Sequence, residues 1–86
     1  MSGKPGRKRL TVYSRNNCHL CEEMIAGLRE LQARFRFELR IVDADGDPEL
    51  TRRYGASVPV LAHRERELCC HFLDRAAVTE FLGKMP

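Results

Sequence analysis

Residues 16–25, Asn-Asn-Cys-His-Leu-Cys-Glu-Glu-Met-Ile, join a short β-prone run to an amphipathic helix. The run at residues 10–14 stops at Arg15-Asn16-Asn17, and Asn tolerates the turn conformations that end a strand. From Cys18 onward, apolar residues recur at spacings of three and four, which predicts a helix of about four turns. Its predicted inward stripe consists of Cys21, Met24, Ile25, Leu28 and Leu31.

The rest of the chain continues the alternation of strands and helices. A strict apolar and charged alternation over residues 35–42 predicts a strand that is buried on one face and lies at a sheet edge. Asp47-Pro48 predicts the start of a second helix, which ends at Gly55. Two further strands are predicted at residues 58–62 and 67–72, and Asp74 is expected to cap a last helix. The apolar residues that alternate over residues 35–42 are Phe35, Phe37, Leu39 and Ile41.

This order of elements, β-α-β-α-β-β-α, predicts an α/β fold with a four-stranded mixed sheet flanked by helices. The first β-α-β unit should be a right-handed parallel crossover, and the last two strands should form an antiparallel hairpin. We expect the strand at 35–42 at one edge, and the strand at 10–14 between it and the strand entered at Pro59.

Length and charge limit the organisation of the chain. Its 86 residues are enough for one small domain. Four of the bases fall in the first nine residues, which contain no acid, and the net charge is only +3. We therefore predict a disordered basic tail at residues 1–9 and a folded domain at 10–86. Because no long apolar run or basic aromatic face is present, we expect a cytoplasmic monomer with no membrane or nucleic-acid partner.

Cys18 and Cys21 form a C-x-x-C motif at the predicted start of a helix. Free N–H groups and a partial positive charge at that end would stabilise Cys18 as a thiolate. Thiols in such motifs have pKa values of about 3.5–7.5, against about 8.5 for free cysteine. The motif predicts a redox pair in which Cys18 attacks a substrate disulfide and Cys21 resolves the mixed disulfide.

Two other interpretations of the motif stay open: half of a zinc site, or two structural cysteines. Zinc takes four ligands, usually as two such pairs. The remaining cysteines, Cys69 and Cys70, are adjacent and would point to opposite faces of a strand. His63 and His71 could complete a zinc site only with strain.

The predicted role of Cys69 and Cys70 is packing rather than catalysis. Free cysteine behaves as a small apolar residue, and neighbouring cysteines form only a strained disulfide. The alternation predicts that Cys70 faces the core beside Leu68 and Phe72, which leaves Cys69 on the opposite face.

Four stretches resemble the short bacterial glutaredoxin-like proteins of the thioredoxin superfamily. They are Cys-His-Leu-Cys-Glu-Glu at 18–23, Asp-Pro-Glu-Leu at 47–50, Arg-Tyr-Gly-x-x-Val-Pro-Val-Leu at 53–61 and Phe-Leu-Asp at 72–74. The resemblance covers about residues 10–83. It implies that Pro59 is cis and faces Cys18, and that the backbone of Val58 holds an extended substrate segment by strand-like hydrogen bonds.

The resemblance also implies the activity of a dithiol oxidoreductase, with a redox-active disulfide and no other cofactor. Its substrates would be protein disulfides or mixed disulfides with glutathione, and glutathione or a thioredoxin reductase would supply electrons. The alternative is a non-catalytic thioredoxin-like module that holds a metal or docks a partner.

The chain departs from typical glutaredoxins at two places. His19-Leu20 stands between the cysteines, where glutaredoxins have Pro-Tyr, and Cys69-Cys70 lies near the point where they carry Gly-Gly. We include His19 with Val58 and Pro59 in the predicted substrate-binding set. A cationic His19 would favour the thiolate of Cys18, whereas a neutral and exposed one would have little effect.

Overall fold

The computed structural model describes residues 8–84 and confirms the predicted α/β order. A single turn of 3-10 helix at Ala44–Gly46 joins the second strand to the second helix. The remaining elements, in chain order, are β1 (Lys8–Ser14), α1 (His19–Gln32), β2 (Phe37–Asp43), α2 (Pro48–Tyr54), β3 (Val60–His63), β4 (Arg66–Cys70) and α3 (Arg75–Gly83).

The four strands form one mixed sheet in the order β2-β1-β3-β4. Strand β1 runs parallel to β2 and antiparallel to β3, and β3 pairs antiparallel with β4. The predicted placement of the second strand at an edge, with the first strand inside the sheet, is therefore confirmed. Because β1 and β2 are parallel, the loops that follow them leave the sheet at the same edge, which is the one formed by the C-terminal ends of these two strands.

Two apolar clusters cover the two faces of the sheet. Leu10 and Val12 of β1 pack with residues of α1 and α3 in the larger cluster. On the other face, the rings of Tyr13 and Tyr54 stack with their centroids 4.1 Å apart, beside buried Ala44 and Val60. Alternate residues of β1 thus face opposite helices, as the period of two requires. The larger cluster is centred on Leu10, Val12, Met24, Leu28, Leu31, Leu61, Val78 and Leu82.

Helix α1 packs very closely against the segment that leads into α3. A Cβ atom at Gly27 would lie 2.6 Å from Cδ2 of Leu73. Across the same contact, Nη2 of Arg75 donates to Oε1 of Glu30 at 2.9 Å. Glycine at this helical position, despite its low helix propensity, lets the two segments approach each other.

The prediction of a fully buried face on the second strand is only partly right. The strand begins at Phe37, because Phe35 belongs to the turn after α1, where its N–H donates to the carbonyl of Leu31 at 2.9 Å. Phe37 is buried, whereas Ile41 is 44% exposed. Ile41 pairs with buried Val12 on the same face, so its exposure shows that the helices leave this end of the edge strand uncovered.

The first strand begins at Lys8, two residues earlier than predicted. The last two residues of the predicted tail at 1–9 therefore belong to β1. Lys8 and Arg9 pair with Phe37 and Glu38 of β2. The Lys8 ammonium lies 4.5 Å from the centroid of the Phe81 ring. The remainder of the proposed tail, residues 1–7, lies outside the described residues.

A bulge in β4 reverses the predicted orientation of its two cysteines. Leu61 pairs with Cys69, but the next residue, Ala62, pairs with Glu67, so Leu68 is an extra residue in β4. A bulge of this kind breaks the alternation of faces. Leu68 and Cys69 both pack against the larger cluster. Cys70 is exposed instead of buried.

The chain after β4 also differs from the prediction. The strand ends at Cys70 rather than at residue 72. His71 adopts a φ of 68°, and the N–H of Phe72 donates to the carbonyl of Cys70 at 2.8 Å. This tight turn leaves Phe72 68% exposed. Within residues 8–84, no helix has the length and apolar character that a membrane crossing needs.

We expect the turn between β3 and β4 to be a site of removable strain. Arg64 has a φ of 57°, which costs an L-residue about 1–2 kcal/mol, while glycine adds about 0.5–1 kcal/mol of unfolded-state entropy. Arg64→Gly should therefore raise the free energy of unfolding by up to about 1.5 kcal/mol in urea titrations. The control Arg66→Gly, within β4, should lower it. A less stable Arg64→Gly variant would contradict this account.

A pH effect is expected at the same end of the sheet. Burial lowers the pKa of His63, and the charges of Lys8, Arg64 and Arg66 act in the same direction. The unfolded chain then takes up a proton near pH 6.5 that the folded chain does not, so His63 reduces stability as the pH falls below that value. In melting experiments between pH 7.5 and 5.5, His63→Phe should lose less stability than the wild type, and an equal loss in the two proteins would contradict this account.

Candidate redox site

The site is built at the N-terminus of α1. Cys18 is the N-cap residue, and its carbonyl accepts the N–H of Glu22 at 3.1 Å. Its Sγ accepts the N–H of Cys21 at 3.2 Å. The sulfur of Cys18 therefore takes the place that a Ser, Thr or Asp oxygen takes at an ordinary N-cap. An N–H group at a helix N-terminus favours negative charge on the atom that it contacts.

Cys18 and Cys21 are joined as a disulfide, with their Cα atoms 5.2 Å apart. Their environments differ. Cys18 is partly exposed, whereas Cys21 is only 2% exposed beneath the first turn of the helix. Cys18 is therefore the more accessible residue of the pair.

The Val58–Pro59 peptide bond is cis, the isomer that the family resemblance implies. Pro59 is fully buried and Val58 is half-buried, and both precede the first paired residue of β3. The carbonyl of Pro59 accepts the N–H of His71 at 2.8 Å. This bond ties the turn after β4 to the start of β3. A contact between Pro59 and the sulfur of Cys18 stays a prediction.

His19 is the first residue of α1 and is exposed. Its Nε2 lies 2.8 Å from Oε2 of Glu23, one turn along the helix. Its effect on the Cys18 thiolate stays a prediction. Its part in substrate binding stays a prediction.

Neither Cys69 nor Cys70 belongs to the disulfide. Burial raises the pKa of the Cys69 thiol, which makes it a weak nucleophile at neutral pH. Cys70 is exposed, with its Sγ 3.8 Å from Nδ1 of His71. Among residues 8–84, no group of three or more His, Cys, Asp or Glu side chains is placed to hold a metal ion.

Two features of this end of the molecule were missed in the sequence. One is the left-handed backbone of His71, which stands near the place where glutaredoxins have Gly-Gly; a non-glycine residue gives no signal for it. The other is the contact of Arg15, three residues before Cys18, with Asp45. Parallel strands end at one edge, so the acid-rich loop after β2 could have been matched to the loop after β1.

The arrangement of sheet, helices, capping cysteine and cis-proline defines a protein of the thioredoxin fold. The glutaredoxin-like domain family (DUF836) matches residues 9–83, and the chain belongs to this family. No curated protein is similar enough to this chain to count as a match.

Solved structures agree with this assignment. The solution structure of protein Ne2328 from Nitrosomonas europaea is 47% identical, with a TM-score of 0.80 over 94% of this chain and 98% of that one. The X-ray structure of XcR50 from X. campestris is 32% identical, with a TM-score of 0.71 over 90% and 99%. The Drosophila melanogaster thioredoxin Deadhead, 24% identical with a TM-score of 0.60 over 92% and 81%, shows the shared fold.

The opposite environments of Cys69 and Cys70 predict different reactivities. In the native protein, with the Cys18–Cys21 disulfide intact, iodoacetamide at pH 8 should label Cys70 several times faster than Cys69, because burial keeps the Cys69 thiol protonated. Fragment-ion mass spectrometry of the peptide that contains both cysteines would locate the label. Cys70→Ser should abolish the fast phase, and its persistence in that variant would show that Cys69 is the accessible thiol.

Proposed function

We propose that this chain is a dithiol oxidoreductase that reduces protein disulfides, or mixed disulfides with glutathione, through Cys18 and Cys21. The observation that carries the proposal is the unequal exposure of two joined cysteines at a helix N-terminus. Cys18 is partly exposed and its Sγ accepts a hydrogen bond from the N–H of Cys21, whereas Cys21 is buried. This is the asymmetry that a nucleophile and an internal resolving thiol need.

The reaction proceeds in two exchanges from the reduced pair. The Cys18 thiolate attacks one sulfur of the substrate disulfide, and a new S–S bond forms as the other substrate sulfur leaves as a thiolate and takes a proton. Cys21 then loses its proton and attacks Cys18. The Cys18–Cys21 disulfide forms and the second substrate thiol is released. Two electrons pass from the cysteine pair to the substrate, which gains two protons.

The segment that enters β3 supports an extended polypeptide as the substrate. The bond between the N–H of His71 and the carbonyl of Pro59 continues the β3–β4 pairing up to Pro59. Val58 lies just beyond it, where a substrate segment can add as a further strand. We propose that Val58 and Pro59 contact the residues that flank the substrate disulfide. His19, exposed beside Cys18, contacts the same segment.

The oxidised pair requires an electron donor for the next turnover. We propose glutathione or a thioredoxin reductase for this step, with no cofactor held by the chain itself. The reaction suits the cytoplasm, where thiols are kept reduced.

Substitution of the two cysteines tests the proposal. Cys18→Ser should reduce the rate to that of the chemical reductant alone, because a serine hydroxyl stays protonated and does not attack sulfur. Cys21→Ser, reduced beforehand and freed of dithiothreitol, should still attack the substrate but accumulate as a mixed disulfide, visible by intact mass, because no external thiol is then present to release it. The assay is the reduction of a model protein disulfide with dithiothreitol as donor.

Cys70→Ser provides the matched control, since it removes an exposed thiol outside the pair and should keep the wild-type rate. A Cys18→Ser variant as active as the wild type would overturn the assignment. A wild type that reduces no disulfide would overturn the proposed activity and favour the binding-module alternative.

A further inference from the structure

Arg15 connects three parts of the chain around the candidate site. Its Nε lies 3.0 Å from Oδ2 of Asp45, and its Nη2 lies 3.0 Å from Oδ1 of the same carboxylate. Its Nη1 donates to the carbonyl of Gly55 at 3.4 Å. The guanidinium therefore makes a bidentate contact with the loop after β2 and a further contact with the end of α2.

These contacts involve the two segments that the proposed chemistry needs. Arg15 is separated from Cys18 only by Asn16 and Asn17, and Asn17 has a φ of 57°. Gly55 lies at the end of α2, shortly before Val58. Two residues therefore separate Arg15 from Cys18, and two residues, Ala56 and Ser57, separate Gly55 from Val58.

We propose that Arg15 is a positioning residue for the disulfide exchange: it fixes the spacing between the loop that carries Cys18 and the segment that carries Val58. This inference rests on the proposed function. Its substrate is the polypeptide disulfide, because only an extended segment has to contact Val58 and Cys18 at the same time.

The partner of Arg15 is itself held in place. The N–H of Asp45 donates to Oδ1 of Asp43 at 2.9 Å, and Oγ1 of Thr51 donates to the carbonyl of Ala44 at 2.7 Å. The 3-10 turn is thus fixed to both β2 and α2. A planar guanidinium that meets a carboxylate with two parallel bonds has one geometry, which a lysine ammonium does not specify.

Arg15 is assigned a role in positioning, not in activating the sulfur. Its guanidinium contacts Asp45 and Gly55, while the sulfur of Cys18 receives the N–H of Cys21. The thiolate is therefore favoured by the helix N-terminus, independently of Arg15. We call the contacts of Arg15 with Asp45 and Gly55 the Arg15 clamp. A small reagent should react with Cys18 at the same rate with or without this clamp, whereas a polypeptide disulfide should react more slowly without it.

The experiment compares Arg15→Ala, Arg15→Lys and Asp45→Asn with the control Arg9→Ala. Arg9 also forms an exposed ion pair between β1 and β2, with Nε 3.0 Å from Oε1 of Glu38, but at the far end of the strands. Arg15→Ala should lower kcat/KM for a model protein disulfide about tenfold, mainly through a higher KM, since displacements near 1 Å can cost up to about 100-fold.

The remaining variants define the origin of that loss. Arg15→Lys and Asp45→Asn should fall between Arg15→Ala and the wild type, and Arg9→Ala should equal the wild type. Alkylation of reduced Cys18 by iodoacetamide should stay within about twofold of the wild type in all four, because thiolate stabilisation depends on the helix N-terminus. Equal losses in both reactions would overturn the positioning role and indicate a general structural one.

Amide hydrogen exchange provides a readout that does not need activity. The N–H of Ser57 donates to the carbonyl of Tyr54 at 2.8 Å, across a turn that contains Gly55. Its exchange should be several times faster in Arg15→Ala than in Arg9→Ala, because the end of α2 loses its tie to the loop. If the wild type reduces no disulfide, the proposed function fails and exchange alone decides whether the clamp exists. Unchanged exchange and unchanged KM in Arg15→Ala would overturn the inference.

Discussion

The parallel pairing of β1 with β2 is the constraint on which the rest of this molecule depends. Every residue of β1, from Lys8 to Ser14, has a partner in β2. Two parallel neighbours can be joined only by a crossover that returns the chain to its starting edge, and α1 is that crossover. Its N-terminus must therefore lie at the edge where both strands end, and Cys18 caps it there.

The same pairing explains why the candidate site draws on distant parts of the sequence. The loop after β2 reaches the edge where α1 begins, which brings Asp45 to Arg15 across a separation of 30 residues. Strand β3 is antiparallel to β1 and so starts at this edge. Pro59 and the turn after β4, which are joined by a hydrogen bond, therefore lie at the same edge. Cys18 and Pro59 lie where loops join the regular elements, and Cys21 lies in the first turn of α1, so the buried strands and helices set the distances between them.

The periodic parts of the fold could be predicted from the sequence, because they follow from local spacing. Short stretches of sequence signal the apolar stripe of α1, the caps Asp47 and Asp74, and the edge position of β2. Apolar character alone does not tell whether a helix reaches far enough to cover a side chain, which is why Ile41 was expected to be buried.

The errors near β4 have a different cause. One extra residue, Leu68, exchanges the faces of Cys69 and Cys70, and a bulge depends on pairing with another strand rather than on the sequence of its own. The cysteine pair was found because its chemistry is contained in four consecutive residues. The clamp made by Arg15 was missed because its partners are recognisable only after the strand order is known.

The outward orientation of Cys70 has a consequence for the handling of the protein. Its thiol is exposed at a turn, and two copies that meet in solution can be joined through it when dissolved oxygen removes two electrons from the pair of thiols. Such a covalent dimer would form outside the Cys18–Cys21 site and would distort both thiol counting and measurements of oligomeric state. Studies of the association of this chain therefore require Cys70→Ser, or a reductant that is removed only under nitrogen.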